Sequence, residues 1–306
     1  MTSRDVPDVL TVKEALQQLE KWNLHAPRNN KYSHKKEAPI LFDGKVVCVQ
    51  IGTPKNPVYC PFGLSRWDQR ANRFTTVDNP TDVAWLYQSQ EAGADARRLP
   101  STKLQAILTA HEYDVEGTQG YYTWRLVNGI RDRVIQGLVH GVTDLSRVDA
   151  NGRPVIVAAA DIGSAADPAE RERLFRDVIV VPPFQPPNGS FAPNIKTKVR
   201  AQVKKDARGE FVALDMDLMD VKAVTTVNPA TGATETTHQP TQPREHLNVF
   251  KKGCRGVFVI KFNPIQYRGR EINMTIDVIK AMIVPSESLF KQVQIRYDED
   301  NDEPMD

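Results

Sequence analysis

Ile195-Lys-Thr-Lys-Val-Arg-Ala-Gln-Val203 alternates without a break. Ile195, Thr197, Val199, Ala201 and Val203 fall on one face. Lys196, Lys198, Arg200 and Gln202 fall on the other. A period of two is that of a β-strand with one buried face. The polar face then carries three cations roughly 7 Å apart. The rest of the last third follows suit. Phe211–Met216, Val257–Phe262 and Ile272–Val284 read as further strands, with Asn263–Arg270 as the connector between the last two. Asn228–Arg244 is rich in Thr and Pro and reads as a loop.

Working back along the chain, Pro182–Gly189 holds four prolines and reads as an extended loop. Val155–Ala160 and Val178–Val181 read as strands, and Pro168–Asp177 as a short helix. Pro80–Gln90, Ser101–Glu112 and Tyr121–Leu138 place apolar residues three and four apart and are expected to be helical. Residues 53–79 mix proline, aromatic and basic residues and read as a long loop with one short strand. Asp43-Gly44 between the apolar runs Ile40–Phe42 and Lys45–Ile51 predicts a tight hairpin. Thr11-Val-Lys-Glu14 has capping-box spacing and opens a helix to about Trp22. The expected class is α+β dominated by β.

Composition narrows the function. The 306 residues carry 40 Lys and Arg against 38 Asp and Glu. Residues 298–306 contain six acids and no base, so the remainder has a charge of +8. A basic body and an acidic end offer two surfaces of opposite sign. No apolar run approaches a membrane span, and the first ten residues lack the apolar core of a signal peptide. An intracellular protein with no membrane partner is expected. Cys48, Cys60 and Cys254 are too few and too scattered for a disulfide framework or a four-ligand zinc site.

Enzyme signatures are missing. There is no GxxxxGK[ST] phosphate loop. His111-Glu112 begins a zincin-like string, but Val115 stands where the second His belongs. Gly163-Ser164 and Gly189-Ser190 lack the second glycine of a nucleophile elbow. Asp215 and Asp217 are a pair of carboxylates on the polar side of a strand, too few alone for a divalent ion. No catalytic residue, metal or cofactor is therefore expected.

The remaining signal is cations with aromatics beside them. Lys31, Tyr32, Lys35 and Lys36 form a basic arm, and Arg66, Trp67, Arg70 and Arg73 a second cluster. Lys196, Lys198 and Arg200 line one strand face. Lys251, Lys252, Arg255 and Lys261 lie in and before the next strand, followed by Tyr267, Arg268 and Arg270. Cations neutralise phosphates and aromatic rings stack on exposed bases, so this set is the expected DNA-binding surface. Tyr32, Phe62, Trp67 and Tyr267 are the candidate base platforms.

Lys252-Gly-Cys254-Arg-Gly256-Val-Phe-Val-Ile-Lys-Phe262-Asn-Pro264, continuing through Tyr267-Arg-Gly269 to Met274-Thr-Ile-Asp-Val278-Ile-Lys-Ala281, resembles the closing β-hairpin of a viral family. That family is the single-stranded-DNA-binding OB-fold proteins of tailed phages and large DNA viruses. Its members share a small-residue turn, a strand, an Asn-Pro or Tyr-rich loop, a glycine turn and a final strand, and carry a similar acidic tail. The resemblance implies an OB-fold-like five-stranded barrel over residues 1–297, with an N-terminal helix and a helical insertion at about 80–140. A disordered acidic tail at 298–306 follows. It also implies sequence-tolerant binding of single-stranded DNA during viral DNA replication, recombination or repair, inside the infected host cell. The tail would compete for the groove or recruit replication proteins. Three other readings stay open: an RNA-binding protein, a virion structural protein, and a magnesium-dependent nuclease using Asp215 and Asp217. The oligomeric state is also open.

Overall fold

The structure is a computed structural model. It describes residues 8–25, 28–29, 36–68, 73–77, 104–140, 167–176, 180–181, 184–189, 191–199, 201–205, 207–208, 211–216, 221–227, 230–232, 234–240, 250–268 and 271–284. In chain order the first strands are β1 (Val9–Thr11), β2 (Trp22–Leu24), β3 (Arg28–Asn29), β4 (Lys36–Ala38), β5 (Ile40–Phe42), β6 (Cys48–Ile51) and β7 (Val58–Cys60). Next come β8 (Leu64–Asp68), β9 (Arg73–Thr76), β10 (Leu104–Thr109), β11 (Val180–Val181), β12 (Phe184–Gln185), β13 (Asn194–Val199) and β14 (Ala201–Lys205). The last are β15 (Phe211–Met216), β16 (Val221–Val227), β17 (Thr234–Pro240), β18 (Cys254–Phe262), β19 (Ile265–Arg268), β20 (Glu271–Asn273) and β21 (Ile276–Val284). The helices are α1 (Val12–Gln17), α2 (Gln119–His140) and α3 (Pro168–Leu174).

Five of these strands form a closed ring. β7 pairs with β10, β10 with β13, β13 with β21, β21 with β18, and β18 with β7 again. All contacts are antiparallel except β13–β21, which is parallel. Followed once round, the registers are displaced by about ten residues, the kind of stagger that barrel closure requires. β6 extends the β7 side of the ring, because β18 pairs with β6 through Phe258–Ile260 and with β7 through Cys254–Gly256. Gly52, at φ +79, begins the detour between these two strands.

Alternation sorts the side chains. Leu104, Ala106 and Leu108 of β10, Ile195, Thr197 and Val199 of β13, and Phe258, Ile260 and Phe262 of β18 are buried on the inside. Ile276 and Val278 of β21 join them. The hydroxyl of Thr197, the polar member of this group, donates to the Ala106 carbonyl at 2.8 Å, so its burial leaves no unpaired donor.

A helical layer is part of the same core. Leu126, Val127, Ile130, Val134, Ile135 and Leu138 line the buried side of α2 at helical spacing. Gly129 and Gly137 let α2 approach Leu19 and Leu24, where a Cβ would meet those side chains at 2.5 and 2.7 Å. Arg133 donates from Nε to the Trp22 carbonyl at 2.9 Å. Trp22 itself is buried and its indole N–H donates to the Ala15 carbonyl at 3.3 Å.

Several expectations change here. The segment expected as a helix over 101–112 contains strand β10, while the helix expected over 121–138 is present as α2. Leu104, Ile107 and Leu108 satisfy the helical period, but pairing on both sides selects the strand. The helix expected over 80–90 and the strand at 155–160 lie outside the described residues. Residues 53–79 hold three strands rather than one. The Thr-rich segment 228–244 contains β17, paired with β16 over seven residues. Two residues of the proline-rich loop, Phe184 and Gln185, pair with β13. The capping box of Thr11 and Glu14 forms, yet α1 ends at Gln17. The Asp43-Gly44 turn also forms, with φ of +47° and +77°. Its arms share a single bridge, Phe42 to Lys45, and then part to pair with β2 and β18.

Candidate functional site

Residues opposite one another in a ladder share a face, so the registers define what the outside of the barrel presents. On β13 the outward residues are Asn194, Lys196 and Lys198. Both lysines are exposed. Opposite them on β10 stand Thr109, Ile107 and Gln105. Thr109 Oγ1 and Asn194 Oδ1 are 2.7 Å apart, with the hydroxyl donating. This is the surface expected from the alternation at 195–203, as far as Lys198. Arg200 lies outside the described residues.

Two rows cross this surface. The first runs Gln105, Lys198, Asp277, Lys261 across four strands. Asp277 is 3% exposed and accepts from Asn263 Nδ2 at 2.6 Å. Lys261 is half-buried. Next to it on β6, burial raises the pKa of the Cys48 thiol, against the pull of Lys261 and Lys280. The cation expected at 261 is thus beside a buried carboxylate rather than in an open groove.

The second row runs Asn194, Thr109, Tyr59, Arg255. The Arg255 guanidinium carbon is 5.9 Å from the centroid of the Tyr59 ring. On its other flank Tyr59 meets His111, with centroids 5.3 Å apart and planes tilted by 38°. Arg255 and His111 are exposed. The exposed Lys251 and Lys252 precede β18 in a turn held to β7 by the Gly253 N–H, which donates to the Cys60 and Pro61 carbonyls.

Two hairpins interrupt the ring. β8–β9 follows β7 and pairs with the first half of β10. β19–β20 leaves the barrel between Phe262 and Ile276. In the first hairpin Arg73 is exposed and stands opposite Asp68, and Trp67 stands opposite Phe74. Arg66 does not belong to the expected surface. It lies opposite Leu104, on the inward side of the sheet, because Leu64 two residues earlier is fully buried against Ala106. Arg70 lies outside the described residues.

The second hairpin is part of a separate five-stranded sheet in the order β11-β20-β19-β4-β3. Tyr267 and Arg268 of β19 stand opposite Ile272 and Glu271. β19 also pairs with β4, which begins at Lys36 and pairs with β3. Arg28 of β3 meets Glu37 of β4 at 3.5 Å. Lys36 and the Tyr267-Arg268 pair, more than 200 residues apart, therefore share one sheet. Lys31, Tyr32, Lys35 and Arg270 lie outside the described residues, as does the acidic segment 298–306.

Sequence reasoning missed Tyr59 and His111. The available signal was the Val58-Tyr59-Cys60 alternation, in which the middle residue points away from two buried neighbours. Among the described residues there is no grouping of three His, Cys, Asp or Glu side chains suited to a metal ion. Among them too, no helix is long and apolar enough to cross a membrane. Asp215 stands opposite Gln202 in the β14–β15 hairpin, and Asp217 lies outside the described residues. Comparison of the chain with known family models and with curated proteins gives no match.

Proposed function

We propose that this protein binds single-stranded DNA with little regard to sequence, as an OB-fold protein of the viral single-strand-binding kind. The observation that carries the reading is the exposed Lys196–Lys198 face of β10–β13 on a closed five-stranded ring, with β8 paired to β10 and the β19–β20 hairpin entering β21 at Ile276, the partner of Thr197. Numbered within the ring by chain order, the strands β7, β10, β13, β18 and β21 are arranged first, second, third, fifth, fourth. The third and fifth are the parallel pair. That Greek-key order supports the OB assignment. In such barrels the second and third strands, with the first-to-second and fourth-to-fifth connections, take the oligonucleotide. Here those two connections contain the β8–β9 and β19–β20 hairpins.

The chemistry asks for no catalytic group. Lysines spaced roughly 7 Å apart along a strand track successive phosphates, and stacked rings accept any base. The physiological role consistent with this is to protect and organise single strands during viral DNA replication, recombination or repair in the infected cell. The acidic segment 298–306 acts as a competitor for the groove or as a handle for replication proteins.

Fluorescence anisotropy with single- and double-stranded oligonucleotides at two salt concentrations tests the reading. Lys196 and Lys198, with the exposed Lys252 and Arg255 at the start of β18, supply about four phosphate contacts to a long oligonucleotide, so log affinity for long single strands should fall with log salt at a slope near −3. Equal affinity for a blunt duplex, or a slope near zero, overturns it. Competition with a matched RNA strand separates DNA from RNA binding, because stacking and phosphate contacts alone do not select the sugar.

A further inference from the structure

The Tyr59 row offers more than the face defined by Lys196 and Lys198. Tyr59 is half-buried, with a guanidinium on one flank and an imidazole on the other. The backbone holds both neighbours in place. Arg255 is the direct ladder partner of Tyr59. His111 ends the run after β10, where its carbonyl packs so closely on Gly120 that a Cβ there would overlap it. The adjoining turn is bonded to this end through the Ala110 N–H, which donates to the Pro193 carbonyl at 3.0 Å. That turn presents Phe191, which is 76% exposed. A Cβ built on Gly253 would lie 4.0 Å from the Tyr59 hydroxyl, so the turn in which the exposed Lys252 precedes Gly253 passes beside the ring.

We infer that Tyr59, His111 and Arg255 form a second nucleotide subsite on the barrel, distinct from the β10–β13 lysine face, in which a base stacks on the Tyr59–His111 rings. Arg255 and Lys252 take the flanking phosphates. The arrangement has the two components that single-strand recognition requires, π-faces and cations, within one patch. It is reached from Lys196 by roughly 7 Å along β13 to Asn194 and then roughly 10 Å across β10 to β7. A single strand lying on the lysine face therefore arrives at Tyr59 after about two more nucleotides. The inference rests on the single-strand reading above and deepens it by extending the path around the barrel to β7 and β18.

An oligo-dT length series, from about 4 to about 16 nucleotides, tests it. The wild-type protein is compared with His111→Ala and Arg255→Ala, both at exposed positions, and with Tyr59→Leu. For long oligonucleotides each variant should lose about tenfold in affinity, the lower-middle range for one stacked base. The shortest oligonucleotides, which fill only the lysine face, should bind all four proteins alike. The length at which affinity levels off should shorten by about two nucleotides in the variants. If His111→Ala and Arg255→Ala keep the wild-type length dependence, or lose affinity equally at every length, the second subsite is wrong while single-strand binding stands. If the wild-type protein does not prefer single strands to duplex, the functional reading itself falls, and the subsite with it. Should Tyr59→Leu fail to fold, the two exposed variants decide.

Discussion

Two rows of side chains cross the outside of the same barrel, and they are built for different ends. The row through Lys198 places a carboxylate that is 3% exposed between two lysines and ties it to Asn263. The row through Tyr59 places a ring between a guanidinium and an imidazole that both reach solvent. Each contains basic residues, so a count of cations along the sequence cannot separate them. Position in the ladder does. Asp277 occupies the junction of β13, β21 and β18, the strands that seal the ring through its parallel contact, and a buried acceptor there anchors the start of the β19–β20 excursion. Tyr59 lies on β7, the shortest strand of the ring, where one pair to β10 completes closure. The first row has a buried acceptor at its centre with the exposed Lys198 beside it, whereas the second has a half-buried ring with exposed groups on both sides.

The comparison requires one intact barrel beneath both rows, and Phe258 tests this most severely. Its ring is fully buried, packs edge-on against Phe250 with centroids 5.9 Å apart, and lies in register between Ile51 and Ala281. Phe258→Ala should cost about 4 kcal/mol in urea unfolding, the range for an aromatic deleted from a core. Binding through either row should disappear with the fold. A loss below about 1 kcal/mol would mean that β18 is not central to the core.

Asp277→Ala sharpens the contrast between the rows. It removes a charged acceptor from a buried site and takes from the Asn263 amide the shorter of its bonds, leaving the one to Thr275 Oγ1 at 3.2 Å, for a stability loss of about 2 kcal/mol. It also removes negative charge from beside Lys198 and Lys261, so the affinity of the folded protein for single strands at low salt should rise. Stability and affinity moving in opposite directions would mark this row as structural. A fall in both, measured on protein still folded by circular dichroism, would place Asp277 in the binding surface instead.

What the sequence made legible follows from how local each signal is. The alternation of 195–199 names its own faces, and β13 presents Lys196 and Lys198 as read. The Asp43-Gly44 turn is equally local and is present, but turn chemistry says nothing of where the arms go afterwards. β10 was hidden because Leu104, Ile107 and Leu108 fit the helical period while Leu104, Ala106 and Leu108 fit that of a strand, and only the partners on either side choose between them. β17 was hidden because Thr serves loops and strands alike, and pairing with β16 turns a polar run into a ladder. The candidate residues were visible as basic and aromatic clusters, while their grouping was not. Tyr59 and His111 meet across 52 positions of chain, and the strand that begins at Lys36 joins the strand of Tyr267 and Arg268 through the β4–β19 pairing. Arg66 shows the opposite failure: a cation in a basic cluster is turned inward by the period of its strand, set by Leu64.

The smallest effect falls on the Tyr59 row alone. Gly63 ends the turn after β7 at φ +58, and a Cβ on it would lie 2.5 Å from the Lys251 carbonyl carbon and 2.7 Å from the Lys252 nitrogen. Alanine at this position meets two penalties. The left-handed backbone costs an L-residue about 1–2 kcal/mol, and the contact is with main chain, so a side-chain rotation cannot relieve it. The 251–253 segment has to give way. That segment is held by the Gly253 N–H on the Cys60 and Pro61 carbonyls, and it carries Lys252 in the turn beside the Tyr59 hydroxyl. Gly63→Ala should therefore lower stability by about 2 kcal/mol and weaken the binding of long single strands more than that of short ones. Lys196 and Lys198, on β13, should keep their affinity for the shortest oligonucleotides, because none of their ladder partners lies in the displaced segment. Thermal denaturation gives the first quantity, and the oligo-dT series gives the second. Equal weakening at every length would show that the 60–63 turn supports the whole face, and the division of the barrel surface into two rows would be lost.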